Sequence, residues 1–107
     1  MMSKKYNVEI MPAANRKLGH HIEFLARASK PAAKRLYSDY QNALKFLEKS
    51  PESCPPYITQ KLSDANLKYK LFGNKDRYRI VFEMIDNNVF AYDIQDCRQG
   101  TDKSFVD

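Results

Sequence analysis

The sequence predicts an α+β domain in which two amphipathic helices cover one face of an antiparallel β-sheet. Three observations indicate this class: an alternating segment at the start, two segments with apolar residues every three or four positions, and three alternating segments toward the end. The predicted order is β-α-α-β-β-β. With 107 residues and 43% apolar content, the chain suits one domain, residues 1–107, with a single core.

The first half of the chain predicts a strand followed by a helical hairpin. Residues 6–10 alternate apolar and polar side chains, and Pro12 both ends this strand and suits the first turn of a helix. The apolar stripe of the first helix is Ala14, Leu18, Ile22 and Leu25. That of the second is Ala33, Leu36, Tyr40, Leu44 and Leu47. The second helix begins near Ser29-Lys30-Pro31 and ends at Ser50-Pro51. Because the link between the two helices is short, we expect them to pack antiparallel.

Three strands are predicted after an irregular, proline-rich stretch at residues 51–60. They are Asn66–Phe72, Arg77–Phe82 and Val89–Ile94. Their links, Gly73–Asp76 and Asp86–Asn88, are rich in residues that favour turns and therefore predict two hairpin loops.

The length of the second loop decides which residues of the last strand face the core. A loop of three residues pairs Phe82 with Tyr92, and the pairing then continues between Ile80 and Ile94. This places Phe90, Tyr92 and Ile94 on the core face. A loop of two residues would bury Asp93 instead.

The first hairpin is basic. Lys68 and Lys70 alternate with apolar residues on the first strand of this hairpin, and Arg77 and Arg79 alternate with apolar residues on the second. Closing the loop over Gly73–Asp76 places Lys70 opposite Arg79, so the sequence predicts that all these cations share the face away from the helices. Like charges opposite one another oppose folding by about 0.2–1 kcal/mol, which favours a polyanionic partner as the reason for the pattern. A solvated face, with lysines that protect a sheet edge, is the alternative interpretation.

The overall composition narrows the classes of function. A formal charge of +5 and a pI of about 9.2 indicate an acidic partner. The N-terminus lacks an apolar signal region and no stretch is long enough to cross a bilayer, so we expect a cytoplasmic protein without a membrane partner. Cys54 and Cys97 lack metal-ligand spacing, and no glycine-rich phosphate loop is present. We therefore expect neither a metal nor a cofactor.

Several segments together resemble the RelE/ParE superfamily of type II toxin-antitoxin toxins. They are VEIMPAANRKL, ALKFLEKSP, KYKL, DRYRIVFEMIDNNVFAYDI and DCRQG. The most specific is YRIVF followed by a turn and an apolar strand. The resemblance covers nearly the whole chain, and it implies a toxin with a cognate antitoxin protein as partner.

The resemblance implies two alternative activities. RelE-like members are ribosome-dependent mRNA endonucleases (mRNA interferases) that inhibit translation without a metal, whereas ParE-like members poison DNA gyrase and lack the nuclease residues. The sequence favours the first. Matching the endonuclease pattern gives the catalytic candidates Lys68, Lys70, Arg79 and Arg98 and the RNA-binding candidates Arg77 and Phe105. Phe105 stands where the pattern typically has a tyrosine, and the terminal arginine falls at Arg98 or its neighbour Gln99.

Metal-free RNA cleavage requires a base for the 2′-hydroxyl, stabilisation of charge on the phosphate and a proton for the leaving oxygen. Crowded lysines favour the neutral amine, so Lys68 or Lys70 could act as the base. Arginines suit the phosphate, and Phe105 suits base stacking. His20 and His21 lie in the first helix, where the predicted topology keeps them away from the basic hairpin, so we expect neither to be catalytic.

Overall fold

The computed structural model describes residues 5–58 and 66–99, and this part of the chain forms a four-stranded sheet with two helices packed on one face. The elements are β1 (Asn7–Ile10), α1 (Pro12–Ala28), α2 (Lys30–Lys49), β2 (Leu67–Phe72), β3 (Tyr78–Ile85) and β4 (Asn88–Asp96). Short 3₁₀ turns follow α2, β2 and β4. The α+β class and the predicted order of helices and strands are confirmed.

The two helices meet at a single residue, Ser29. Its backbone N–H donates to the carbonyl of Leu25 and ends α1, while its hydroxyl accepts a 3.2 Å hydrogen bond from the N–H of Ala32 and caps α2. Pro12 and Pro31 each occupy the first turn of a helix, where no N–H is needed. Within residues 5–58 and 66–99, neither helix combines the length and apolar character that a bilayer span requires.

The sheet has the order β1-β4-β3-β2. Strands β2, β3 and β4 form the predicted antiparallel meander, but β1 lies parallel to β4, with Val8 opposite Val89. The sequence predicted an antiparallel sheet throughout. The direction of β1 differs because the helical hairpin and the meander separate it from β4, so no tight turn fixes their relative direction.

The main core lies between the helices and the sheet, on the side we call the helix face. Its buried strand residues are Phe72, Tyr78, Ile80, Phe82, Val89, Ala91 and Ile94. A second, smaller cluster lies on the opposite side of the sheet, which we call the outer face. It consists of Tyr57, Leu67 and Val81, with Tyr69 and Tyr92 packed against them.

The pairing of β2 with β3 differs from the prediction by one residue. Lys70 lies opposite Ile80, and Arg79 lies opposite Leu71. A shift of one residue moves every side chain of a strand to the other face. Lys68 and Lys70 therefore lie on the helix face and Arg79 on the outer face, so the predicted cross-strand pair and the shared basic face are both wrong.

The loop between β2 and β3 explains the shift. It spans five residues, 73–77, because Phe72 pairs with Tyr78 and their rings pack 5.7 Å apart in the core. Gly73 turns the chain with φ 88, and a side chain there would meet the Tyr78 ring at 3.0 Å. Glycine therefore meets two requirements at this position, a left-handed backbone and a close approach.

The turn between β3 and β4 has two residues, Asp86–Asn87. As a result Phe82 pairs with Ala91, and the predicted pairing of Phe82 with Tyr92 is wrong. Tyr92 lies with the outer-face cluster and Phe90 lies opposite Glu83, so neither belongs to the main core, where the longer loop would place them.

A β-bulge after Val81 then takes up one residue of β4. Beyond the bulge Ile80 lies opposite Ile94, as the longer loop predicted. Asp93 is buried, but it lies opposite Val81 on the outer face and not on the core face, where the shorter loop would place it. The register of the shorter loop therefore holds between the turn and the bulge, and that of the longer loop holds beyond the bulge.

Candidate functional site

Lys68 and Lys70 lie side by side on the edge strand β2, next to the end of α2. The Lys68 ammonium donates to the backbone carbonyl of Cys54 at 3.0 Å. The Lys70 ammonium lies 4.4 Å from the centroid of the Phe46 ring on α2, a cation–π contact. Both lysines share a face, as the alternation predicted.

Arg79 lies on the outer face between two tyrosines. Its guanidinium carbon is 4.9 Å from the Tyr57 ring centroid and 5.6 Å from that of Tyr69, and its Nε donates to Gln95 Oε1 at 2.7 Å. The two rings meet edge to face at 6.4 Å. We call Arg79, Tyr57, Tyr69 and Gln95 the Arg79 cluster.

Tyr57 reaches this cluster because the proline-rich stretch after α2 pairs with the edge of the sheet. Pro56 bridges to Lys68, and the Tyr57 N–H donates to the carbonyl of Leu67 at 2.8 Å. Tyr69 donates its own N–H back to the carbonyl of Pro55. The segment thus extends the sheet beyond β2 and covers part of the outer face.

A chain of buried polar groups runs from the cluster to α1. Gln95, which is 2% exposed, donates to the Tyr57 hydroxyl at 3.1 Å and to Asp93 Oδ2 at 3.2 Å. Asp93 Oδ1 accepts from the Lys17 ammonium at 3.2 Å and from the Ile94 N–H at 2.9 Å. Buried polar groups are costly unless they are hydrogen-bonded, so this chain fixes the position of each member.

Arg77 forms a salt bridge at the end of the sheet. Its Nε and Nη2 donate to Asp96 Oδ2 at 3.2 and 2.9 Å, and Asp96 Oδ1 accepts from the backbone N–H of Arg98. Burial alone would raise the pKa of Asp96, but these bonds outweigh it and hold the pKa below its usual value. The bond to Asp96 in turn raises the pKa of Arg77. The side chain of Arg98 is exposed.

His21 lies closer to the hairpin than the sequence predicted. Its Nε2 hydrogen-bonds the carbonyl of Ile94 at 3.1 Å, and its ring lies 5.2 Å from that of Tyr78. The expectation that the topology keeps it away is wrong, because α1 packs along β4. Burial lowers the pKa of His21, which favours the neutral ring in a packing role, whereas His20 is exposed.

A family model described as the ParE toxin of the type II toxin-antitoxin system, parDE, matches residues 8–99. The chain belongs to this ParE toxin family. No curated protein is similar enough to count as a match. Membership makes the chain the toxin of a type II toxin-antitoxin system and implies a cognate antitoxin as its partner.

The ParE fold of this chain does not bring the predicted nuclease residues together. Lys68 and Lys70 share the helix face, while Arg79 lies on the outer face. Arg77 and Arg98 lie at the end of the sheet, where both line a cleft beside α2. Phe105 lies outside the described residues.

The outer face of this ParE-family toxin is aromatic and carries charges of both signs. Tyr92 donates to Glu83 at 2.7 Å, and this bond raises the pKa of the tyrosine. Of the strand residues on this face, Arg79 lies next to Tyr69 and Val81, so the prediction of a uniformly basic outer face is wrong. Tyrosine and arginine are the residue types enriched at protein–protein contacts.

Proposed function

We propose that this toxin arrests growth by poisoning DNA gyrase through a protein contact and does not cut RNA. One observation carries the proposal: Lys68 and Lys70 lie on one face of the sheet and Arg79 on the other. The backbone of the sheet separates the two faces, so these side chains cannot converge on one scissile phosphate.

The hydrogen bonds of these cations also favour a binding role. Lys68 donates to a backbone carbonyl, Arg77 is held by Asp96, and Arg79 donates to Gln95. A base or acid for RNA cleavage must exchange a proton with the substrate in the transition state. Groups that already stabilise the fold in their charged form suit that role poorly.

The Arg79 cluster is the surface we assign to the contact with gyrase. Its arginine is stacked between Tyr57 and Tyr69 and fixed by the buried Gln95, so little side-chain entropy remains to be lost on binding. Rigid tyrosines and arginines in such settings contribute much of the binding energy in protein interfaces.

The ribosome-dependent mRNA endonuclease remains a second candidate because of the two lysines. Lys68 and Lys70 lie about 7 Å apart on one face of β2, so both ammonium groups could reach the same RNA segment. In this alternative Arg98, exposed at the cleft, contacts a phosphate, and Arg79 supports the structure without touching RNA.

One induction experiment in bacteria separates the two candidates. We compare the wild type, the double variant Lys68→Ala/Lys70→Ala, Arg79→Ala and the control Arg16→Ala, which removes an exposed arginine from α1. Messages are mapped by primer extension, and DNA breaks that depend on gyrase are measured in the same cultures.

Gyrase poisoning predicts DNA breaks with intact messages, toxicity that survives loss of both lysines, and a folded Arg79→Ala protein that is not toxic. Cut messages that disappear in the double lysine variant would instead establish the endonuclease. The Arg16→Ala control should be as toxic as the wild type.

A further inference from the structure

A groove runs along α2 beside the β2 edge, and of the Arg79 cluster only Tyr69 borders it, at its far end. It consists of three adjoining cavities of about 590, 320 and 280 Å³. The first and second share Asp39 and Asp76, and the second and third share Phe46 and Lys70. The cavities are therefore continuous from the start of α2 to its last turns.

A second stripe of α2 forms one wall of this groove. Arg35, Asp39, Asn42 and Phe46 follow one another at spacings of four, three and four, the period of a helix face. Each lies one residue before a buried residue of α2, namely Leu36, Tyr40, Ala43 or Leu47, so this row borders the core and stays accessible. Phe46 is 38% exposed, and the row spans about 16 Å.

The charges along the groove change sign twice. Its first end carries the cations Arg35, Lys75 and Arg98. The middle carries Asp39, and the far end carries Lys70 over the Phe46 ring, while Asp76 from the β2–β3 loop lines all three cavities. The floor of the first cavity is apolar, formed by Leu25, Leu36 and Tyr78.

The salt bridges between the described residues involve neither Asp39 nor Asp76. They join Lys5 to Glu48, Lys17 to Asp93 and Arg77 to Asp96. The carboxylates of Asp39 and Asp76 thus face the groove without a cation bound to them in the described ranges. A helix face that contacts only water needs no complementary surface across a groove, whereas a bound peptide segment contacts both walls.

We propose that this groove binds a segment of the cognate antitoxin with an acidic–basic–acidic order of charges and apolar residues between them. The choice of partner rests on the toxin function, because the family pairs each toxin with an antitoxin. The charge order rests on the groove alone: an acidic residue meets Arg35 and Arg98, a basic one meets Asp39, and a second acidic one meets Lys70. The antitoxin would then leave Arg79, Tyr57 and Gln95 uncovered, since none of them lines the groove.

A peptide-display selection tests the assignment without using growth or gyrase. Random peptides of about 14 residues, long enough for a helix over the full groove, are displayed on yeast and selected for binding to the purified full chain. The enriched pool is then titrated against Asp39→Lys, Lys70→Glu and the control Glu23→Lys, which reverses an exposed charge on α1. Circular dichroism melting checks that each variant is folded.

The proposal predicts that enriched peptides carry a basic residue flanked by acidic ones and that the pool loses at least about tenfold in affinity for Asp39→Lys and for Lys70→Glu. Affinity for Glu23→Lys should stay within about twofold. Peptides with a central acidic residue should bind Asp39→Lys better than the wild type. This rescue shows that the groove charge and not a misfolded surface sets the preference.

Three outcomes would overturn the proposal: no enriched binders, a pool that binds both groove variants as well as the wild type, or an equal loss on Glu23→Lys. A dimer of the chain that Asp39→Lys dissociates, measured by sedimentation, would assign the groove to a second copy instead. A chain that fails to poison gyrase can still pass this binding test, so the two proposals fail separately.

Discussion

Replacing Asp96 with asparagine measures how much the Arg77–Asp96 salt bridge contributes to the free energy of unfolding. This salt bridge lies at the end of the sheet that carries the groove. The variant removes the negative charge that accepts two bonds from Arg77, whose side chain is 25% exposed, against 3% for Asp96. Removing one partner of a fully buried pair costs about 3–5 kcal/mol. Water still reaches a quarter of the Arg77 side chain, and the amide oxygen of the new asparagine can accept a hydrogen bond. We therefore expect Asp96→Asn to lower the free energy of unfolding by about 2 kcal/mol near pH 7. For a domain of this size, that lowers Tm by about 8–16 °C.

The pH dependence of this loss has a definite sign. The pKa of Asp96 in the folded chain lies below its value in the unfolded chain, so the pair stabilises the fold above the unfolded value and loses that contribution as the pH falls through the folded one. The difference in unfolding free energy between wild type and Asp96→Asn should therefore shrink toward acid pH.

Urea unfolding followed by circular dichroism, at about pH 7 and about pH 3, measures both quantities. The control is Asp86→Asn, the same chemical change at an exposed turn residue with φ 56, which asparagine tolerates. We expect this control within about 0.5 kcal/mol of the wild type. A similar value for Asp96→Asn at neutral pH would mean that the salt bridge contributes little. A loss that persists unchanged into acid would mean that the ionised carboxylate is not its cause.

Three further predictions concern the fold and the two faces. Burial lowers the pKa of His21 in the folded chain below 6.5, so the unfolded chain takes up a proton on this residue more readily, and stability falls as the pH drops below that value. Tm measured from about pH 7.5 to 5.5 should therefore fall less steeply in His21→Gln than in the wild type. Arg79→Ala should lower the free energy of unfolding by about 1–2 kcal/mol, because it loses the hydrogen bond to Gln95 and the contacts with the Tyr57 and Tyr69 rings. A gain in stability would instead support the predicted register that places Arg79 opposite Lys70. Gln95→Leu should cost about 1–3 kcal/mol in the same urea assay, since it interrupts the buried polar chain, and a neutral result would show that the chain contributes little.

The sequence predicted the helices and strands because the signals that specify them are local. The apolar stripe of α1 and the helix stop at Ser50-Pro51 lie within a few residues of what they determine. The parallel pairing of β1 with β4 depends on residues some eighty positions apart, such as Val8 and Val89, and local periodicity carries no information about it.

The position of the basic residues was missed because loop geometry determines it. Alternation places Lys68 and Lys70 on one face of β2, but only the five-residue loop decides which face that is. One signal was available. Lys68, Lys70 and Phe72 follow one another at intervals of two, so their side chains lie on the same face of β2, and burying the Phe72 ring against Tyr78 places both lysines on the helix face.

The Arg79 cluster lay beyond sequence reasoning for a different reason. Tyr57 comes from an irregular proline-rich stretch that shows no strand periodicity, and its pairing with the β2 edge is a tertiary contact. Gln95 follows the bulge in β4, which changes the register that the turn alone would set. Both residues become recognisable only once the sheet is assembled.

Action on gyrase through the outer face is the main proposal for this toxin. The most direct measurement mixes the purified chain with DNA gyrase, relaxed plasmid and ATP, and follows supercoiling and the accumulation of linear DNA. We expect the wild type and Arg16→Ala to block supercoiling and trap broken DNA, whereas folded Arg79→Ala should do neither. Unchanged supercoiling, together with cleavage of ribosome-bound message that a 2′-deoxy substitution at the cut site abolishes, would contradict it.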